Sequence, residues 1–419
     1  MTTVDAIIVG GGPAGASTAH ALATTGARVL VLDRARFPRA KPCAEFLSPE
    51  ASRSLARMGA LDAVEASGAA RLAGMTVHAP NGARIRGRYV AAHGFRAFRD
   101  RGLSVRREVL DAILLDRARA AGAVVEEGVR VVDLARDAAG RVCGVITLHG
   151  DGTRRTRASR LVVGADGLNS MTARRLGVAR RLPWPRRVAL VAHFSGVAGI
   201  GDVGEMHVAR DGYVGIADVG HALTTVAAVF PARTARDIAR DPAAFLHAWL
   251  ARQPQLAPRF ANAGRVDEVR AVGPFASHAR RAWAPGALLV GDAADFFDPF
   301  TGEGIYAALR GGELAAQYGR AALDSTSAIE ADVALAAYDR ARRHEFRGKW
   351  IVERAIGAVI ANPPLINRAA RACDAHPDLA DLLVGVAGDF VPPRRVLRPG
   401  FLLRLFASPL PAASAAPHP

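Results

Sequence analysis

The sequence predicts the α/β class: a doubly wound, mainly parallel sheet domain, an inserted and mainly antiparallel sheet, and a helical C-terminal region. Three observations predict it. The apolar run Val4–Val9 enters Gly10-Gly11-Gly12-Pro13-Ala14-Gly15 and then, after a helix-like stretch, a second apolar run that closes on Asp33. Between about residues 180 and 275 the pattern changes to short alternating pieces, the mark of a sheet with one covered face. Beyond Asp292 helical periodicity runs to about Gly385.

The first segment carries the most information. Gly10 lets the chain turn tightly off its strand, Gly12 leaves room for a pyrophosphate against bare backbone, and Gly15 lets the following helix lie close to the sheet. Pro13 stands near the helix start, where its missing N–H costs nothing, and Ala14 follows it in the cofactor-binding turn. The helix N-terminus then faces the phosphates, and Asp33 is placed to accept hydrogen bonds from a ribose. Strand, glycine turn, helix, strand and acid in that order make a Rossmann-like dinucleotide site a better reading than a glycine-rich turn.

After Asp33 the chain leaves regular structure through Arg36–Cys43 and becomes helical again after Ser48-Pro49. Strands are expected at Gly74–His78 and Arg84–Arg88 around an Asn81-Gly82 turn, and a helix over Arg107–Ala121. Strands follow at Val129–Leu134, Val142–Leu148 and Ser159–Gly164. The inserted sheet draws on Val188–Phe194, Glu205–Val208, Tyr213–Ala217 and Thr224–Phe230. This divides the chain into a discontinuous nucleotide-binding domain (1–75, 100–178 and 278–325), a substrate sheet (76–99 and 179–277), a helical region (326–407) and a Pro-, Ala- and Ser-rich tail (408–419) expected to be disordered.

Composition excludes several function classes. The formal charge of +16 comes with only two lysines, Lys41 and Lys349, and with arginines scattered in doublets, so no basic stripe for nucleic acid is present. Such a surface still suits peripheral contact with an anionic membrane face or an acidic carrier protein. Cys43, Cys143 and Cys373 are far apart and odd in number, which argues against a disulfide framework or a zinc site, and the histidines lack metal spacing. With no leader pattern ahead of the first strand and no apolar run of membrane length, a cytoplasmic protein is expected. The oligomeric state is not readable.

Two distant motifs accompany the first: Gly164-Ala165-Asp166-Gly167, and the run from Gly291-Asp292 to Pro299-Phe300-Thr301-Gly302-Glu303-Gly304-Ile305. In order and spacing the three resemble the FAD-dependent oxidoreductases that include aromatic hydroxylases, flavin-dependent halogenases and geranylgeranyl reductases, over about residues 4–320. The third motif is nearest to the last group. The resemblance implies a glutathione-reductase-type FAD-binding domain.

The chemistry of the third motif can be argued directly. Asp292, behind Gly291 at the carboxyl end of a buried strand, is where an acceptor would meet ribityl hydroxyls, unless it merely caps a helix. Pro299, Gly302, Gly304 and Ile305 open a helix whose N–H groups can approach a flavin's pyrimidine edge, where negative charge gathers on reduction. By resemblance, Arg107 would contact the FAD phosphates, although an arginine opening a helix is often a solvated surface residue. Asp166 and Gly167 would secure the pyrophosphate side. Arg34 would stack by the adenine or face solvent. Lys41 and Cys43 form a Lys-x-Cys segment like that of the geranylgeranyl reductases, with Cys43 over the flavin or simply a small buried residue.

Gly199-Ile200-Gly201-Asp202-Val203-Gly204 also spells the glycine signature, but a strand-like segment follows it, so it reads as a hairpin. NAD(P)H would therefore bind transiently as electron donor. Phe401–Phe406 is expected to pack on the body. Phe46, Tyr213, Phe296 and Phe297 are pocket candidates, with core packing the alternative for each. No residue stands out as an acid or base.

The leading expectation is an NAD(P)H-dependent FAD monooxygenase that hydroxylates or epoxidises a bulky hydrophobic metabolite of secondary metabolism, a polyketide, isoprenoid or aromatic. A geranylgeranyl reductase-like ene-reductase is the alternative, and a non-catalytic prenyl-lipid carrier is a third. The reductases' aromatic segment is replaced by Tyr213-Val214-Gly215-Ile216-Ala217, the halogenases' tryptophan segment is absent, and Asp295 stands where hydroxylases often carry histidine.

Overall fold

The strand Val4–Val9 is the centre of the molecule because its apolar side chains are covered on both faces, as a parallel strand requires. In this computed structural model, which describes residues 4–91, 94–184 and 186–407, the strand pairs in parallel with Val29–Asp33 on one side and Arg154–Gly164 on the other. Ile8 sits opposite Val31 and Val163. Val124–Glu127 and Ala287–Leu289 extend the sheet outward in parallel. The tail from Ser408 lies outside the described residues.

Two helices made of small residues cover this sheet at close range. Helix Pro13–Thr24 meets helix Gly304–Asp324 so tightly that a Cβ on Gly312 would fall 2.7 Å from Ser17 Cβ. The Ser17 hydroxyl donates to Leu309 O at 2.8 Å across the same contact. Alanine and glycine at these positions let the backbones approach and set the first and third motifs side by side.

The second sheet runs in the order Arg187–Ser195, Leu223–Pro231, Tyr213–Asp218 and Gly204–Val208, all antiparallel, then takes Gly74–His78 in parallel and Arg84–Arg88 through its hairpin. Alternation divides its faces. Leu190, Val214, Phe230 and Trp249 form a core on one side, whereas Ala189, Val191, Tyr213 and Val229 turn toward a large cavity on the other. Within the insert, residues 235–260 are helical where alternating strands were expected. Asp241 explains it: its Oδ1 accepts the N–H groups of Ala243 and Ala244, and Pro242 occupies the first helical position.

Helix Ala328–Ile360 starts at Ser327, whose hydroxyl accepts the Glu330 N–H, while Glu330 reaches back to the Thr326 N–H. Helices Pro363–Ala375 and Pro377–Ala387 close the far edge of the second sheet; a Cβ on Gly87 would meet Val384 at 2.5 Å. In Pro399–Phe406, Phe401 and Leu405 are buried against the body. Among the described residues no helix is long and apolar enough to cross a membrane.

Candidate functional site

The glycine turn is built by exclusion. Gly10 has φ +104°, and a Cβ there would lie 2.5 Å from Ala165 O; a Cβ on Gly15 would lie 1.8 Å from Gly10 O. Neither position tolerates a side chain. Gly12 differs: the nearest atoms to its Cβ position are the guanidinium nitrogens of Arg39 at 3.6 Å and Arg107 at 4.0 Å. The helix behind it carries no side-chain cap. Free N–H groups and two guanidinium groups thus converge on open space, the donor set a pyrophosphate needs.

Asp33 is buried and holds the turn, accepting the Gly11 N–H at 2.7 Å and the Ala35 N–H at 2.8 Å. The next residue, Arg34, is exposed. Arg107 is 5% exposed, so the solvated alternative does not hold, and its Nε and one terminal nitrogen each lie 2.8 Å from Asp111. Burial opposes the charge on Arg107, but Asp111 outweighs it and raises the pKa. Asp111 also takes Arg39 at 3.0 Å, so one buried carboxylate aims two cations at Gly12.

Asp166 is spent locally: it accepts the Ser170 hydroxyl at 2.6 Å and the Thr172 N–H at 3.0 Å, fixing the turn into helix Met171–Arg175. Its carboxylate thus buttresses the turn that carries the Asp166-Gly167 pair. Gly167 does face the cavity, with Lys41 Nζ 3.6 Å from its Cβ position. Burial and the Arg107 charge lower the Lys41 pKa against the pull of Asp292 and Asp111.

Around this cradle lies a cavity of about 250 Å³. Gly12, Pro13, Ala14, Lys41, Cys43 and Arg107 line its inner end. Gly291, Asp292, Pro299, Gly302, Gly304 and Ile305 line the adjoining wall. Gly291 has φ +61° and would touch Ala14 Cβ at 2.9 Å, which ties the third motif to the first. Among the described residues the Asp292 carboxylate accepts no hydrogen bond, so its acceptor capacity points into the cavity rather than capping a helix. Gly304 opens its helix with no side-chain cap and free space at its Cβ position. The chain thus offers an anion cradle, a free carboxylate and a bare helix N-terminus along one wall, a set that fits the phosphates, ribityl hydroxyls and ring edge of FAD.

Phe46, Tyr213, Phe296 and Phe297 all line the same cavity. Tyr213 is fixed there: its hydroxyl donates to Asp298 at 2.6 Å, and Arg187 binds the other oxygen of that carboxylate. The remaining wall is small and aliphatic: Ala189, Val191, Gly215, Ala217, Ala227 and Val229.

Several lining groups escaped the sequence reading. Asp295 binds His278 and Arg342; burial pushes its pKa up, but the Arg342 charge outweighs this and the net direction is down. Trp350 and Glu353 project from helix Ala328–Ile360 into the cavity; burial and the nearby Glu303 raise the Glu353 pKa well above the carboxylate range. Glu45 also faces it. Nothing in the local sequence of the long helix distinguishes these positions from ordinary packing.

Comparison with known proteins agrees with this geometry. The FAD binding domain family matches residues 3–316. The chain is 27% identical over 418 residues to the menaquinone reductase of Mycolicibacterium smegmatis, covering 93% of this chain and 92% of that protein. It is 31% identical over 337 residues to digeranylgeranylglycerophospholipid reductase 2 of Methanopyrus kandleri, covering 77% and 79%. Among solved structures, the myxobacterial chondrochloren halogenase CndH superposes with a TM-score of 0.79 at 22% identity, covering 96% of this chain and 93% of that one. The probable FAD-dependent monooxygenase PqsL of Pseudomonas aeruginosa does so at 0.71 and 23%, covering 87% and 98%. The chain belongs to the FAD binding domain family and is a flavin-dependent oxidoreductase.

Proposed function

We propose that this protein is a reductase that saturates a carbon–carbon double bond in an isoprenoid chain, with FAD held along the first and third motifs. The observation that carries the proposal is the continuous cavity, which runs from the Gly12 cradle to a sheet wall of alanine, glycine and valine, where an apolar chain would meet aliphatic side chains. The menaquinone and digeranylgeranylglycerophospholipid reductases that the chain resembles over most of its length support the substrate class.

Each part of the site then has a task. Arg39 and Arg107, aimed by Asp111, neutralise the pyrophosphate together with the N–H groups behind Gly12. Asp292 accepts from the ribityl hydroxyls. The helix opening at Gly304 favours negative charge at the ring edge by about 1 kcal/mol. When reduced, FAD supplies hydride. The aliphatic wall excludes water and holds the prenyl chain against the ring, and NAD(P)H, without a strand–glycine–helix site at Gly199–Gly204, serves as a transient donor.

The Tyr213–Ala217 segment, which departs from the reductases' aromatic one, favours a second reading in which the same apolar substrate is hydroxylated or epoxidised. Anaerobic mixing of reduced holoenzyme with a geranylgeranylated lipid that carries no quinone ring separates the two. Recovery of the oxidised flavin spectrum without oxygen supports the reductase. A flavin that stays reduced until oxygen enters supports the monooxygenase.

A further inference from the structure

A second, smaller cavity lies behind the Lys41–Glu45 segment. It holds about 10 Å³, room for roughly one water molecule. Lys41, Pro42, Glu45 and Val191 belong to the walls of both cavities, so this short segment is the partition between them.

A chain of titratable groups crosses the partition. Glu45 is 3% exposed; one oxygen accepts the Arg107 N–H at 2.8 Å and the other lies 2.7 Å from His193 Nε2. His193 Nδ1 lies 2.7 Å from Asp267 Oδ2, and the His193 N–H donates to Asp267 Oδ1 at 2.9 Å. His193 shares its strand face with Ala189 and Val191 of the large cavity, while Asp267 is partly exposed at the outer end. Glu45 holds φ +61°, a backbone conformation L residues seldom adopt and that recurs where function fixes a side chain. A merely structural histidine does not require a strained carboxylate on one nitrogen and a second carboxylate on the other.

We propose that Asp267, His193 and Glu45 form a proton relay from the outer cavity into the cofactor cavity, with Glu45 as the terminal acid. The proposal rests on the reductase reading. Saturating one double bond takes a hydride at one carbon and a proton at the other. Reduced FAD gives the hydride with its electron pair, and a reduced nicotinamide or dithionite restores those two electrons. The Glu45 carboxyl gives the proton, His193 reprotonates Glu45, and water beside Asp267 reprotonates His193.

The electrostatics suit this task. Burial lowers the His193 pKa, but Glu45 and Asp267 outweigh it, so the net direction is up. From the loop, Lys41 faces the same outer cavity. From the head of the Arg107 helix come Arg106, 3.8 Å from Asp267, and Glu108, which pairs with Arg106 at 3.0 Å. From the segment beyond residue 264 come Arg270, 3.5 Å from Asp267, and Arg265, which donates to the Asp267 carbonyl. Burial raises the Asp267 pKa, but its hydrogen bonds to His193 and the charges of His193 and Arg270 outweigh it, and an ionised Asp267 retains the imidazolium.

Two measurements on the full chain test the relay. The first needs no turnover: the imidazole titration of His193 is followed by NMR, assigned by its loss in His193→Gln. In Glu45→Gln and in Asp267→Asn the midpoint falls by about one unit or more; a midpoint unmoved in both variants overturns the relay. The second uses FAD-loaded protein, reduced anaerobically, saturating a geranylgeranylated lipid that carries no quinone ring. His193→Gln slows turnover roughly 10²-fold and abolishes the wild-type pH inflection while flavin uptake stays intact. An unchanged pH profile overturns the relay. If the wild type leaves the lipid unsaturated under these conditions and yields only oxygenated product once oxygen is admitted, the reductase reading fails, and the histidine titration still decides whether the three groups are coupled.

Discussion

A Cβ on Gly15 would lie 1.8 Å from the carbonyl oxygen of Gly10, so the first helix reaches the sheet only because both residues lack side chains. Gly12, two residues further along the turn from Gly10, has open space at the same point. The two positions therefore separate folding from ligand binding. Gly15→Ala lowers stability by about 1–3 kcal/mol or prevents folding. Gly12→Ala leaves the thermal midpoint of the apoprotein near wild type and weakens FAD uptake, read as flavin absorbance after dialysis. Equal thermal losses in the two variants would contradict this.

Arg107 and Asp111 are a buried pair, with Arg39 on the same carboxylate. Removing Arg107 leaves Asp111 with Arg39 as its remaining partner, so Arg107→Leu costs about 2–3 kcal/mol in denaturant unfolding. The double variant Arg107→Leu/Asp111→Leu recovers most of the stability and none of the FAD affinity. Recovery of both would show that Arg107 serves the fold alone.

Glu205 predicts an acid limit. Burial pushes its pKa up, but His207 at 2.9 Å and Arg259 at 2.6 Å outweigh it and hold it at about 2. A folded-state pKa below the unfolded value stabilises the protein above about pH 4.5, and that contribution disappears as pH falls through the folded value. The loss is on the order of 3 kcal/mol. Urea unfolding across this range shows the slope in the wild type and its reduction in Glu205→Gln; equal slopes would contradict the assignment.

Glu353 behaves in the opposite sense. Its folded pKa is raised by burial and by Glu303, so folding disfavours the ionised form and stability falls as pH rises above the ordinary carboxylate range. Glu353→Gln therefore raises the thermal midpoint at neutral pH. A lower midpoint would mean that the carboxylate has an ionic partner at Lys349 strong enough to keep it charged.

The residues legible in the sequence are those whose chemistry allows few substitutes. Gly10, Gly12 and Gly15 answer to backbone clearance, Asp33 to the turn N–H groups, and Asp292 to its place at a strand end, so spacing alone located them. Asp166 shows the limit of that approach. Its position in the second motif was legible, but its partners Ser170 and Thr172 were not, because local side-chain capture leaves no periodic trace. Glu45 and His193 lie 148 positions apart, and only the packing of the second sheet on the Lys41–Glu45 segment joins them. Asp241 and Pro242, ahead of the alanine-rich run Ala243–Ala251, were a helix signal inside the insert that the alternating segments on either side of it obscured.

The central claim is that the cavity saturates an isoprenoid double bond. Its most direct test is the product mass after FAD-loaded protein, reduced with NADPH or dithionite, turns over a geranylgeranylated lipid that carries no quinone ring, in aerobic buffer. The account predicts a product heavier by two hydrogen atoms, with non-exchangeable deuterium on the saturated chain when the reaction runs in heavy water. A product heavier by one oxygen atom, with no hydrogenated species, would contradict it.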